Sequence, residues 1–312
     1  MEVSSHALDQ RRAAGITFRA GVFTNATPEH LDYHKTFEAY REAKAMLFEL
    51  VAPSGTAVLN ADDPAFEFMR SRVKTQVLTF GLDAPADVRV VDWRCTLRGS
   101  SGTLVTPAGH TVFHTTLMGC HNLSNLAAMA AVGIAEVVPV ATMVEALATF
   151  PGVPGRLEPV EAGQPFPVLV DYAHTDDALR NVLQAMRAMT DARLIVVFGC
   201  GGDRDRAKRP RMGAVASQWA HHVIVTSDNP RSEWPEEIAE AVVSGIVPGA
   251  SYQVILDRAS AIRAAIQQAD SRCVVLVAGK GHEKTQVFRD RTVPFDDVQV
   301  VRDALVAQGV VG

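Results

Sequence analysis

Two short stretches carry the residue types best suited to binding chemistry. One is the glycine-rich, doubly charged loop GCGGDRDRAKRP, residues 199–210, and the other is DNPR, residues 228–231. Between them they offer Arg204, Arg206, Asp228, Asn229 and Arg231. A guanidinium binds a carboxylate through two parallel hydrogen bonds, and a carboxylate or amide receives an ammonium. This combination suits a ligand that carries both carboxylates and an amine. A solvated charged loop held by structural ion pairs accounts for the same residues equally well.

Familiar motifs do not explain these loops. GCGGDR is not the dinucleotide fingerprint, because Arg204 occupies the position of its third glycine. AGKGHEKT, residues 278–285, looks like a phosphate loop but lacks its glycine spacing. The 312 residues contain no G-x-x-x-x-G-K-[ST], no nucleophile elbow and no zinc signature. Asn122 and Asn125 lie one helical turn apart in GCHNLSNLAAMAAVGIAEVV, residues 119–138, where helix capping is the plain alternative to ligand binding. Lys44 sits inside the helical pattern FEAYREAKAMLFELV, residues 37–51. On spacing alone it is a surface lysine of an amphipathic helix. NATPEHLDYHKT, residues 25–36, is a loop dense in histidine and aspartate.

The elements around these loops must place them. LIVVFG, residues 194–199, and HHVIVTSD, residues 221–228, are apolar along most of their length, as buried parallel strands are. A small-residue helix, MGAVASQWA, connects them, giving a βαβ unit whose strands end in the two charged loops. Ligands of such sheets bind beyond the carboxyl ends of the strands. VLVDYAHT (residues 168–175), YQVILD (252–257) and CVVLVAG (273–279) complete five strands alternating with helices, a doubly wound α/β domain. Upstream, PGVPGRLEPV at residues 151–160 reads as a linker, so the predicted domains are 1–150 and 151–312. In the first, ITFRAGVFTN, TAVLNADDP and VLTFG are strands, and residues 88–117 are short alternating runs of an antiparallel patch. MEVSSHALDQRR, residues 1–12, begins abruptly, with no evident cap.

Composition narrows the class. Hydrophobic content of 47% and charged content of 21% are those of a globular protein. A formal net charge of −5, no lysine/arginine block and an aromatic content of 6% argue against a nucleic-acid surface. Four cysteines, Cys95, Cys120, Cys200 and Cys273, have no metal-ligand spacing and read as reduced thiols of a cytoplasmic protein. No apolar run is long enough to span a bilayer, and no signal peptide is visible.

Together, MEVSSHAL, TNATPEHLDYH, the EAK of the following helix, LNADDP, MGCHNLSN, PGVPGRLE, VDYAHTDDAL, FGCGGDRDRAKRPRMG, SDNPRSE and VAGKGHEKTQ resemble the Mur ligases of peptidoglycan synthesis, in that family's order across nearly the whole chain. The resemblance implies part of the family's central ATPase domain over 1–150, followed by its Rossmann-like carboxy-terminal domain over 151–312. It also implies that the family's first domain and phosphate loop are missing from this sequence. The implied reaction is ATP-dependent addition of meso-2,6-diaminopimelate to UDP-N-acetylmuramoyl-L-alanyl-D-glutamate through an acyl phosphate, with Mg²⁺, by a cytoplasmic monomer needing neither nucleic acid nor membrane. Residue by residue, Glu2, His30 and a carbamylated Lys44 match metal and catalytic positions. Ser4, Gln10 and Arg12 match contacts to the UDP-linked substrate. Asn122, Asn125, Arg156 and Asp171 match nucleotide contacts. Arg204, Asp228, Asn229, Pro230, Arg231, Gly279 and Glu283 match the amino-acid pocket. Arg231 is the expected partner of the distal carboxylate that separates diaminopimelate from lysine.

Two alternatives share parts of this pattern. A binding module that holds the amino acid without hydrolysing ATP would carry the same motifs. A folylpolyglutamate-type synthetase shares the architecture, and the DNPR and GGDRDRAKRP stretches argue against it.

Overall fold

Runs of valine, isoleucine and leucine buried on both faces form the middles of two separate six-stranded sheets. The structure is a computed structural model that describes residues 1–27 and 31–309. Its residues fall into two units, Met1–Phe150 and Pro151–Gly312.

The first unit begins with α1 (Ser5–Asp9), β1 (Phe18–Phe23), α2 (Leu31–His34) and α3 (Phe37–Ala45). A 3₁₀ turn over Met46–Leu50 leads into β2 (Val51–Asn60), then α4 (Phe66–Arg72), β3 (Gln76–Gly81), β4 (Val88–Thr96), β5 (Gly99–Thr106) and β6 (Gly109–Thr115). Helices α5 (Cys120–Ala135) and α6 (Val140–Thr149) close it. Strands β1 to β4 run parallel in sequence order, and β5 and β6 add an antiparallel edge. The alanines of α5 allow it to lie close against the sheet, with Leu123, Leu126, Ala127 and Ala131 packed on Phe80, Val90, Leu104 and Phe113. A second cluster, built on Tyr40, Phe48, Leu59 and Met69, holds α3 and α4.

Two sequence expectations need correction here. The chain start does have a cap: Ser4 Oγ accepts from the Ala7 amide at 3.2 Å and opens α1 as a side-chain N-cap. The helix expected over residues 37–51 stops at Ala45 and tightens into the 3₁₀ turn before β2.

The second unit contains β7 (Glu158–Pro159), β8 (Val168–Asp171), α7 (Asp176–Met189), β9 (Arg193–Phe198), α8 (Lys208–Trp219), β10 (His222–Val225) and α9 (Pro235–Val243). It continues through β11 (Tyr252–Val254), α10 (Arg258–Gln267), β12 (Cys273–Ala278), the small hairpin β13 (Thr285–Val287) and β14 (Thr292–Pro294), and α11 (Asp297–Ala307). The sheet order is β11-β10-β9-β12-β8-β7, parallel throughout except for β7. The chain moves outward from β9 through β10 to β11, then returns to set β12 beside β9. The loops after β8, β9, β10 and β12 therefore share the carboxyl end of the sheet, the ligand-binding end of open α/β sheets. Only Tyr252–Val254 of the expected strand YQVILD is regular, and all three residues are exposed, because β11 is an edge with nothing on its outer side among the described residues.

Candidate functional site

The GGDRDR and DNPR loops fit against each other at the ends of β9 and β10. The Gly202 amide donates to the Asn229 carbonyl at 2.9 Å. A Cβ at Gly202 would lie 1.8 Å from the Pro230 carbonyl oxygen, so no other residue fits there. Arg231 adopts φ 52°, unusual for a side chain of its size. Its guanidinium donates to the Gly202 carbonyl at 2.8 Å, and its own amide donates to the Val287 carbonyl at 3.0 Å.

Beneath these loops lies a group of interlocked polar side chains. Asp228 and Asn229 are buried. Asn229 Nδ2 donates to Glu283 Oε2 at 2.8 Å, and its Oδ1 accepts from the Val287 amide at 3.0 Å. Gln286 Nε2 donates to the Asp228 carbonyl at 2.8 Å. Lys280 is 0% exposed, and its ammonium reaches Glu283 Oε2 at 3.0 Å, Asn229 Oδ1 at 3.1 Å and Asp228 Oδ1 at 3.4 Å. Burial raises the Glu283 pKa, but hydrogen bonds from Lys280 and Asn229 and the charges of Lys280 and Arg231 outweigh it and hold the carboxyl below its usual range. The net result is a carboxylate. Gly279, at φ +114°, makes the turn that aims Lys280 inward.

A second pair braces the same loops from below. Arg258 and Asp297 are both fully buried and meet in a two-bond fork at 2.7 Å, the strong geometry for this pair of groups. Arg258 also donates to the Ala278 carbonyl at 2.9 Å and lies 3.5 Å from the Ser227 carbonyl, so it ties the ends of β12 and β10 together. A third pair anchors the GGDRDR loop. Glu233 accepts from Arg209 at 2.8 and 3.0 Å and from the Asp203 amide at 2.7 Å. The Arg209 hydrogen bonds, chiefly, hold Glu233 down at about 2.

Of the predicted amino-acid pocket, the fold brings together Asp228, Asn229, Pro230, Arg231, Gly279 and Glu283. Arg204 is exposed, with its stem and the Arg231 guanidinium both beside Gly201. Arg206 turns away to Glu233 at 3.0 Å. The rim expected from sequence is thus divided: Arg206 anchors the loop through Glu233, and Arg204 and Arg231 lie beside Gly201. Lys280, Arg258, Asp297, Glu233 and Arg209 carry no functional expectation from sequence. The one signal is Lys280 inside AGKGHEKT, a stretch whose likeness to a phosphate loop points to a glycine-framed lysine.

Arg156 and Asp171 sit together at the end of β8. The Arg156 guanidinium lies 5.1 Å from the Tyr172 ring centre, within cation–π range. Asp171 accepts from the Leu157 and Ala173 amides, each at 2.8 Å, fastening the preceding loop to the sheet. Cys200 is buried against Met212 and burial pushes its thiol up to about 12, so it is no nucleophile for the neighbouring pocket.

In the first unit, Glu2, Ser4 and Lys44 line one cavity of about 470 Å³, with Phe18, Val22, Tyr40 and Phe48 among its walls. The Lys44 ammonium lies 5.1 Å from the Tyr40 ring centre. His30, the third expected metal position, lies outside the described residues. Gln10 donates to Tyr33 at 3.2 Å and also pairs with Arg12, on the surface near α1. Asn122 and Asn125 meet at 3.4 Å at the start of α5, and Asn122 also donates to the Met118 carbonyl at 2.8 Å. No helix among the described residues is long and apolar enough to cross a membrane.

An α/β architecture with two parallel-based sheets and this loop cluster is that of the Mur ligases, and sequence comparison agrees. Residues 1–133 match the Mur ligase middle domain and residues 155–281 match the Mur ligase glutamate ligase domain. The chain belongs to the Mur ligase family. It is 47% identical over 98% of its length to the UDP-N-acetylmuramoyl-L-alanyl-D-glutamate–2,6-diaminopimelate ligase of Synechococcus sp. (strain WH7803), and 44% identical to the enzyme of that name from Bacillus licheniformis. A solved structure of a ligase of the same name superposes with a TM-score of 0.68 at 38% identity over 98% of this chain. The chain spans 63%, 64% and 64% of these three relatives, respectively.

Proposed function

We propose that this chain supplies the amino-acid pocket and part of the ATPase site of a ligase that adds meso-2,6-diaminopimelate to UDP-N-acetylmuramoyl-L-alanyl-D-glutamate at the expense of ATP. One observation carries the reading: the paired DNPR and GGDRDR loops, with a buried carboxylate–amide–ammonium group beneath them, at the ligand-binding end of the second sheet. Arg231 uses one hydrogen bond on Gly202 and presents a guanidinium beside Arg204, fitting a carboxylate. Asp228 and Glu283 offer oxygens to an ammonium. A pocket of this kind disfavours lysine, whose missing carboxylate would leave a guanidinium unpaired.

The reaction begins with attack of the dipeptide carboxylate on the γ-phosphate of ATP. The amine of the incoming amino acid then displaces phosphate from the acyl phosphate. Glu2 and Lys44 share a cavity, which fits a magnesium site only in part: Mg²⁺ takes oxygen ligands, so Lys44 serves as a carbamate and not as an ammonium. His30 and Glu2 would complete the protein's share of that site. When bound there, Mg²⁺ would supply charge neutralisation for the transferring phosphoryl group. Asn122, Asn125, Arg156 and Asp171 are proposed to hold the nucleotide, and Ser4, Gln10 and Arg12 the UDP-linked substrate, in the cytoplasm where ATP is available.

The test measures phosphate release that depends on both the amino acid and the UDP-linked dipeptide. Two polypeptides are compared: residues 1–312 alone, and the same residues following a phosphate loop. Diaminopimelate should support release in the second, and L-lysine should not. The first should release none, since nothing in the 312 residues replaces the loop's amides and lysine. Phosphate release that ignores the amino acid in the second polypeptide overturns the reading.

A further inference from the structure

We propose that Lys280 is a positioning and specificity-determining residue of the amino-acid pocket: its buried ammonium fixes Asp228, Asn229 and Glu283, and its charge tilts the pocket toward a dicarboxylate amino acid and away from lysine. This rests on the amino-acid-ligase reading and deepens it.

The geometry is specific. A fully buried ammonium is costly unless each of its protons finds a partner. Lys280 finds three, and all three are side chains assigned to the amino-acid pocket: Glu283 at 3.0 Å, Asn229 at 3.1 Å and Asp228 at 3.4 Å. The backbone is shaped for this, with Gly279 and Gly281 on either side at φ +114° and +52°. At Gly281 a Cβ would come within 2.7 Å of Tyr172 Cβ, so the turn cannot be relaxed by an ordinary residue. Lys280 cannot reach solvent, so it meets the ligand through Asp228, Asn229 and Glu283 and not directly.

The charges facing this point are Asp228 and Glu283 on one side and Arg231 on the other, with the Arg258–Asp297 pair behind, internally neutral. Lys280 therefore cancels one of two neighbouring carboxylates. Without it the pocket gains a net negative charge. Diaminopimelate carries two ammoniums and two carboxylates and is neutral overall, whereas lysine carries two ammoniums and one carboxylate and is a cation. Removing Lys280 should favour the cation over the neutral zwitterion, and removing Glu283 should do the reverse.

The experiment is an NMR-detected titration of the 312-residue chain with meso-diaminopimelate and, separately, L-lysine, for wild type, Lys280→Met, Glu283→Gln and the double variant. Wild type should prefer diaminopimelate. Lys280→Met should lower the ratio of diaminopimelate to lysine affinity by roughly tenfold, the scale of one unit charge about 12 Å away at an effective dielectric of about 20, since Lys280 acts from behind the residues that meet the ligand. Glu283→Gln should raise the ratio. The double variant restores the charge count, and its ratio should return toward wild type even if both affinities stay low, which loss of structure alone would not produce. If Lys280→Met does not fold alone, the double variant, which removes the unpaired carboxylate along with the ammonium, is compared with Glu283→Gln: a lower ratio in the double variant supports the role of Lys280, and an equal ratio overturns it. An unchanged ratio across the folded variants overturns the role of Lys280 while leaving the pocket in place. Failure of wild type to bind either amino acid overturns the underlying reading itself.

Discussion

The loop cluster at the carboxyl end of the second unit's sheet, proposed above as an amino-acid pocket, and the cavity of the first unit are built on opposite principles. In the pocket, Asp228, Asn229, Lys280 and Glu283 satisfy one another, and the Arg258–Asp297 and Arg209–Glu233 pairs hold the loops from outside. The cavity around Glu2 and Lys44 is walled largely by apolar side chains, and Glu2 is exposed. Sites that recognise a fixed ligand gain from groups locked before it arrives, since no ordering cost remains at binding. A site for phosphate and metal, the role proposed for this cavity, would receive much of its polar content from the ligand and from modification, with the protein supplying mainly a frame. The difference makes separable claims: perturbing the cavity should remove chemistry and spare stability, and perturbing the braces of the pocket should do the opposite.

The largest expected effect is on the cavity side. Lys44→Ala, in a polypeptide that also carries a phosphate loop, should cut ligation by a factor on the order of 10³ or more. Added bicarbonate should not restore it, because no amine remains to form a carbamate. Thermal unfolding should change little. Near-normal turnover in this variant would sink the assignment of Lys44 and weaken the contrast between the two sites.

On the pocket side, Arg258→Met leaves the Asp297 carboxylate fully buried without its partner. The expected cost is about 3–5 kcal/mol, confined to the second unit. Tryptophan placement allows a clean reading. Trp219 and Trp234 lie in the second unit and Trp93 in the first, so in a Trp93→Phe background fluorescence follows the second unit alone. A urea midpoint within error of the parent would show that the brace carries no energy.

Glu233 gives a smaller effect with a pH signature. Its carboxyl is depressed from 4.5 to about 2, mainly by the Arg209 hydrogen bonds, with burial opposing and the Asp203 amide and the charges of Arg209 and Arg206 assisting. A depressed acid stabilises the fold above its unfolded value and loses that contribution as the pH falls through its folded value. The contribution should be complete above about pH 4.5 and gone below about pH 2. Glu233→Gln should cost about 2–3 kcal/mol near neutrality and flatten the acid limb of stability across that window. Parallel acid profiles for the variant and the parent would contradict the pairing.

Much of this contrast is legible in the sequence, and the remainder is not for identifiable reasons. The strands β9, β10 and β12 are apolar enough to declare themselves as buried, and glycine and charge mark where they end, so GGDRDR and DNPR can be placed at one sheet end. Pairing partners are not legible. Arg258 and Asp297 are 39 positions apart, and Arg209 and Glu233 are 24 apart. Each looks like an ordinary surface charge until the fold buries it. Lys280 stands out only as part of an incomplete phosphate loop. YQVILD reads as a full strand because its composition is strand-like, but an edge without an outer neighbour supports only Tyr252–Val254. In the first unit, Lys44 on spacing alone is a surface residue. The packing of α3 places it on the cavity that Glu2 also lines, a consequence of tertiary structure that helical periodicity does not contain.

The smallest expected effect sharpens the pocket's side of the comparison to one hydrogen bond. Arg231 sits at φ 52°, held there by the hydrogen bond its amide donates to the Val287 carbonyl and by the close passage of Gly202. Its guanidinium donates once to the Gly202 carbonyl, at 2.8 Å. On the amino-acid-ligase reading, the other donors of the planar fork would take a ligand carboxylate. Lysine at this position keeps the charge and the stem but offers a point ammonium, which cannot serve Gly202 and a carboxylate in the same two-bond geometry. Arg231→Lys should therefore weaken diaminopimelate binding by about 1–2 kcal/mol, roughly 5- to 30-fold, with the KM for ATP unchanged. L-Lysine, which lacks the second carboxylate, should lose less, so the preference between the two amino acids should narrow. Arg231 is only half-buried. Its replacement should move stability by no more than about 0.5 kcal/mol, the range of ordinary surface substitutions. If both amino acids weaken equally, Arg231 shapes the DNPR loop and does not read the carboxylate; if neither weakens, the carboxylate is bound elsewhere, with Arg204 the next residue to test.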